Sequence, residues 1–200
     1  MPEWSWLNFA NSHLHKTLPY PSKSFSGQTI IVTGANTGLG LEAARHFVRL
    51  DAAKVILAVR TPSKGEAAAA SIEQSMGKSG VAEVWQLDLC SNDSIIRFAE
   101  RVDKELDEVH VVVENAGVLY YDFQTAEGDE MNIKVNVVST LMLGLLLLPK
   151  LRSTALKTGK KTVLTFVASW MHNVTSFEER KSDNVFELLA TKKGARMQDR

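Results

Sequence analysis

Short apolar runs separated by helix-length amphipathic stretches constrain this chain more than any other feature. The runs are residues 29–32, 55–59, 81–87, 109–113 and 162–167, nearly continuous in apolar residues rather than alternating. That is the pattern of strands covered on both faces. Between them, Ala43, Phe47 and Leu50 share one face of a helix over 39–50, and an alanine-rich helix covers 63–76. Ile95, Phe98, Ala99, Val102 and Leu106 recur at helical spacing, and Val135, Val138, Met142 and Leu145 mark one face of a longer helix. Strand–helix alternation of this kind predicts βαβ units and an α/β fold, a doubly wound parallel sheet in three αβα layers. Residues 1–27, with Trp4, Trp6, Pro19 and Pro21 among polar neighbours, read as an N-terminal arm. The domain proper spans 28–168, and 169–200 is a polar segment with one helical patch at Val185, Leu188 and Leu189.

Composition narrows the partners. The 200 residues suffice for one packed domain, and 23 basic residues balance 23 acidic ones. No global field favours nucleic acid or an anionic membrane, so an anion must be held by local geometry. The single cysteine, Cys90, excludes an internal disulfide framework and a cysteine-built metal site, and fits a reducing, cytoplasmic location. The N-terminus has no basic-then-apolar signal pattern. The most lipid-like run, Leu141 to Leu148 with Gly144 inside it, is about half a bilayer span, ends at Pro149 and reads as part of a buried helix. The expectation is a chain with no membrane, nucleic-acid or metal partner.

Chemistry concentrates where the first strand meets the first helix, in Thr33-Gly34-Ala35-Asn36-Thr37-Gly38-Leu39-Gly40. Glycines there permit positive φ and close backbone approach, and the free N–H groups of a helix start suit a pyrophosphate. A glycine trio is a weak signal alone; its strand–turn–helix context strengthens it.

The spacing of this turn resembles the Thr-Gly-x-x-x-Gly-x-Gly of the short-chain dehydrogenase/reductase family, whose fold is Rossmann-like. Further landmarks follow in the family's order over residues 25–180. Asp88-Leu89 ends the third strand, where the family sets an aspartate beside adenine. Glu114-Asn115-Ala116-Gly117 resembles Asn-Asn-Ala-Gly with Glu for the first Asn. Asn136 matches the active-site asparagine and Ser169 the catalytic serine. Each also has a plain structural reading, as turn former, loop, buried polar group or strand cap. The resemblance implies hydride exchange between a nicotinamide cofactor and a small-molecule carbonyl or alcohol. Gly34, Asn36, Thr37, Gly38, Leu39, Gly40, Asp88, Leu89, Asn115, Ala116 and Gly117 would hold the cofactor. Ser169 would hydrogen-bond the substrate oxygen, and Asn136 would order a water.

Two further readings refine this. The second strand ends Val59-Arg60, with no carboxylate for a ribose 2′-hydroxyl and a planar cation suited to a 2′-phosphate. The expected cofactor is therefore NADP(H), with Lys64 able to add a second charge. The family's Tyr-x-x-x-Lys is absent: the tyrosines are Tyr20, Tyr120 and Tyr121, and none follows Ser169. Tyr120 and Tyr121 could reach the substrate mouth but lack the companion lysine, and His172 is a loop histidine. The expectation is a C-terminally incomplete chain, lacking the Tyr-Lys helix and the last strands: a truncated product, a misjudged gene boundary or a fragment. Its full-length form could be a homo-oligomer. The rival expectation is a non-catalytic nucleotide-binding remnant. Coding sequence beyond Arg200 would separate the two.

Overall fold

A computed structural model of the chain describes residues 14, 17, 19–169, 176–195 and 197. Trp4, Trp6 and His172, singled out in the sequence, lie outside them. Five parallel strands form the sheet: β1 (Thr29–Thr33), β2 (Lys54–Val59), β3 (Ala82–Gln86), β4 (Val111–Glu114) and β7 (Val163–Phe166), in the order β3-β2-β1-β4-β7. β5 (Thr125–Ala126) and β6 (Asp129–Glu130) make a small separate antiparallel pair. The helices are α1 (Gly38–Arg49), α2 (Pro62–Met76), α3 (Asn92–Glu105), α4 (Met131–Thr158) and a short α5 (Val185–Leu189). The α/β, doubly wound reading therefore holds.

Alternation along each strand divides the core in two. Ile31, Ile56, Ala58 and Val112 point to the side covered by α3 and α4; Ile30, Val32, Val55, Leu57, Val59 and Val111 point to the side of α1 and α2. At β1, β2 and β4 both faces are largely buried, which is why those runs carry almost no polar residues. The chain steps outward from β1 to β3 and then returns to lay β4 on the other side of β1. That reversal opens a crevice between the carboxyl ends of β1 and β4. β7 is the outer strand among those described, with Val163, Phe166 and Val167 exposed. The end of the N-terminal arm docks on α1: Phe25 stacks edge-on against Phe47, and Tyr20 meets His46.

One expectation about the long helix, its buried face, needs correction. The helix itself passes through Pro149 and runs on to Thr158. A proline removes one N–H, which would otherwise serve the carbonyl of Leu145. Leu145 is 67% exposed, so water can take the donor's place, while Leu147, Leu151 and Thr154 hold the continuing helix on the sheet. The buried face is displaced. Fully buried on it are Val135, Ser139, Leu143, Leu147 and Leu151; Val138 and Met142 are half-buried, Met142 against the same core, and Leu145 is exposed. The cause is a π-helical turn at Lys134–Ser139 that slips the phase by one residue, its loosened carbonyl of Val135 accepting the Thr140 hydroxyl at 2.8 Å. The helix is long and apolar enough to cross a membrane, yet its Val135–Leu151 stripe packs on the sheet. The Leu141–Leu148 run is thus buried on one side and exposed at Leu141, Leu145, Leu146 and Leu148.

Candidate functional site

The crevice is knotted at its base by Thr33, the last residue of β1. Its Oγ1 accepts the N–H groups of Asn115 and Ala116, each at 2.9 Å, while Asn115 Nδ2 donates to the Thr33 carbonyl at 3.0 Å. These bonds draw the Asn-Ala-Gly turn onto the glycine-rich turn. Gly34 is required there: a Cβ at that position would lie 2.9 Å from Ala116 Cα, and its φ is +65°.

Above the knot, α1 starts at Gly38 with φ +58°, and the space a Cβ would take there is open. The Thr37 side chain makes no capping bond, and the first helical bond runs from Leu41 N–H to the Thr37 carbonyl at 3.3 Å. The leading N–H groups of the helix therefore face outward, where an anion is stabilised by the helix dipole. Asn36 lines the cleft beside Gly34, Gly40 is buried against Asn115, and Thr37 and Leu39 are exposed at the mouth. A backbone shaped in this way can hold a diphosphate.

Arg60 stands on the cleft rim at the end of β2, opposite Asp88, Leu89 and Ala116–Val118. Interaction with the Tyr120 side chain, with smaller help from Asp88, raises its guanidinium further above neutrality. Asp88 Oδ1 accepts the Cys90 N–H at 2.9 Å, turning its own loop. Burial, followed by Asp88, pushes the Cys90 thiol up, so it stays protonated on the cleft wall. Lys64 is exposed on the first turn of α2 and does not line the cleft. Among the described residues no three His, Cys, Asp or Glu side chains cluster as a metal centre would require.

A second hollow, about 670 Å³, opens on the far side of the Asn-Ala-Gly turn, walled by Leu119, Val137 and Leu141 and rimmed by Asn136 and Ser169. That volume suits a small organic molecule. The structure brings Asn136, Ser169 and Gly117 to this one hollow. The Asn136 side chain is committed to Val118: Oδ1 accepts its N–H and Nδ2 donates to its carbonyl, both at 2.8 Å. Asn132, four residues earlier, does the same for Tyr120, at 2.8 and 3.0 Å. Together they fix the loop that separates the two cavities. Sequence reasoning missed Asn132 and the anchoring role of Thr33. The signals were present: Asn132 shares a helix face with Asn136, and Thr33 opens the glycine-rich motif. Tyr121 is 73% exposed, whereas Tyr120 turns toward Arg60.

Fold and site thus define an α/β nucleotide-binding protein with its cleft at the strand-order switch. The profile of the short chain dehydrogenase family matches residues 28–179. The chain belongs to the short-chain dehydrogenase/reductase family. It is 45% identical over 186 residues to the short chain dehydrogenase/reductase dmxR8 of Cryptosporiopsis sp., covering 92% of this chain and 57% of that protein. It is 45% identical over 201 residues to the short chain dehydrogenase atnD of Emericella nidulans, covering 100% of this chain and 64% of that one. The chain therefore spans about three fifths of these curated relatives. Among solved structures, an Escherichia coli CFT073 short chain dehydrogenase complexed with NADPH superposes with TM-score 0.61 at 27% identity, over 85% of this chain and 68% of that one. A 3-ketoacyl-(acyl-carrier-protein) reductase from Brucella melitensis complexed with NADH gives 0.59 at 25%, over 73% and 58%.

Proposed function

We propose that this chain is the nucleotide-binding part of an NADP(H)-dependent oxidoreductase acting between a small carbonyl compound and its alcohol, in a reducing compartment such as the cytoplasm. The observation that carries the cofactor choice is Arg60 on the cleft rim, next to a buried Val59 where a ribose-binding carboxylate would otherwise stand. The open space at Gly38 and the outward N–H groups of α1 fit the diphosphate of such a cofactor. When bound, the nicotinamide supplies or takes up hydride. Arg60 pairs with the 2′-phosphate. The Asn132–Asn136 clamp holds the wall between cofactor and substrate. Ser169 donates a hydrogen bond to the substrate oxygen, and Asn136 keeps its family position beside it.

Two measurements test this reading. Binding titrations should show NADPH preferred over NADH, and Arg60→Ala should weaken NADPH about tenfold or more while sparing NADH, as expected for loss of a charge-assisted contact. Equal affinity for both cofactors in the unaltered protein overturns the choice. In an NADPH-oxidation assay with aldehydes, ketones and quinones, the 200 residues should turn over no substrate, because a positioned proton donor contributes about 10²–10⁴-fold and no tyrosine follows Ser169. Turnover abolished by Tyr121→Phe would instead make that tyrosine the acid.

A further inference from the structure

The family pattern has asparagine where this chain has Glu114, at the carboxyl end of β4. Glu114 is 1% exposed, and its Oε1 has no hydrogen-bonding partner. Its Oε2 lies 3.5 Å from Thr33 Oγ1. A hydroxyl has two lone pairs and one proton. Both Thr33 lone pairs are taken by the N–H groups of Asn115 and Ala116. Only its proton remains to be offered, and Glu114 Oε2 is the acceptor in reach. The proton of a neutral Glu114 then sits on Oε1. An ionised Glu114 would instead be a full charge in the interior with one long hydrogen bond and one bare oxygen, which is costly.

The surroundings offer the charge no relief. Thr33 on β1, Phe166 in register on β7, and Asn136 and Thr140 on α4 share its neighbourhood. Among the described residues no cation or second acid acts on it, so burial alone pushes the carboxyl up to about 8, against a small opposing effect of the Thr33 bond.

We propose that Glu114 is a positioning residue for nucleotide binding: as a neutral acid it supports, through Thr33, the junction of the glycine-rich and Asn-Ala-Gly turns, and its ionisation weakens the grip on an anionic dinucleotide. The inference rests on the cofactor reading above. Ionisation acts in two ways. It sets a negative charge beneath the turn that faces a diphosphate, and it pulls the Thr33 hydroxyl toward Glu114, away from the geometry that serves Asn115 and Ala116.

The test is the NADPH dissociation constant of the full chain between pH 6 and 10, for the unaltered protein and for Glu114→Gln, which keeps the shape without a titratable group. Affinity of the unaltered protein should be level from about pH 7 to about 8 and then fall, by at most about tenfold per pH unit, until the ionised form's weaker affinity is reached, while Glu114→Gln shows no alkaline fall. A level profile in the unaltered protein, or the same alkaline fall in Glu114→Gln, overturns the proposal. Should Glu114→Gln fail to fold, the amide proton resonances of Asn115 and Ala116 in the unaltered chain decide. They should shift together with a midpoint near pH 8, and their constancy across that range overturns the proposal equally. Absence of NADPH binding at every pH defeats the cofactor reading, and this proposal with it; binding without pH dependence defeats this proposal alone.

Discussion

The two ends of the same sheet are built to opposite standards. At the amino end the buried polar side chains beside β4 have partners. His110 Nδ1 accepts the Thr29 N–H at 3.1 Å, the Val109 N–H reaches Thr154 Oγ1 at 3.0 Å, and Glu108 pairs with Lys157 at 3.0 Å. At the carboxyl end the structure leaves demands open: a carboxyl oxygen without a partner and a helix start without a side-chain cap. The contrast separates what holds this fold together from what it holds. Unmet hydrogen bonding collects where a ligand can meet it, and the stable end tolerates that cost.

The comparison breaks most visibly at Gly38. Gly38→Val should weaken NADPH binding at least about a hundredfold, because a β-branched residue resists φ +58° and fills the open space above α1. Fluorescence titration with a circular-dichroism check on folding measures this; undiminished binding by a folded variant would relocate the diphosphate. The opposite end should respond in the opposite currency. Thr154→Val strands the buried Val109 N–H and should cost about 1–3 kcal/mol in urea unfolding while leaving NADPH affinity of the folded protein unchanged. A variant as stable as the parent would mean that the amino end is not the stabilising one.

The smallest effect sharpens the contrast through pH. Burial depresses the His110 pKa below its ordinary 6.5, with Glu108 opposing, so the folded protein favours the neutral ring that accepts from Thr29. The unfolded chain then binds more protons below 6.5, and stability falls as pH drops from 6.5 toward the folded pKa. Glu114 has the reverse sign: its folded pKa of about 8 exceeds the ordinary 4.5, so its stabilisation is complete below 4.5 and is lost as pH rises to about 8. His110→Gln should flatten the limb of a stability–pH profile on which stability falls as pH drops below 6.5, and Glu114→Gln the limb on which it falls as pH rises from 4.5 to about 8. If either variant flattened the other's limb, the assignment of the two ends would be reversed.

Much of the fold was legible because β1, β2 and β4 are apolar on both faces and their pattern needs no partner to interpret. The glycine-rich turn was legible for a similar reason, since Gly34 and Gly38 meet local backbone requirements. The face of α4 was not. A period of 3.6 residues extrapolates from Val135 to Val138 and Met142, and nothing in Lys134–Ser139 announces a π turn, which arises from how the helix seats on the sheet. The reach of Tyr120 toward Arg60 crosses from one loop to another and has no sequence signal.

The π turn in α4 gives this helix a tolerance of one change in length that a plain helix lacks. Each α-helical residue turns the chain by about 100°, so a deletion in a plain α-helix rotates everything beyond it. Removing Val137 or Val138 would instead let the wide turn at Lys134–Ser139 revert to plain α-helix, with Asn132 still on the Tyr120 backbone and Leu143, Leu147 and Leu151 still on the sheet. A deletion between Leu143 and Leu151 has no such slack and would rotate part of that leucine face off the core. Single-residue deletions inside the π turn should therefore be tolerated far better in homologous chains than single-residue deletions farther along α4.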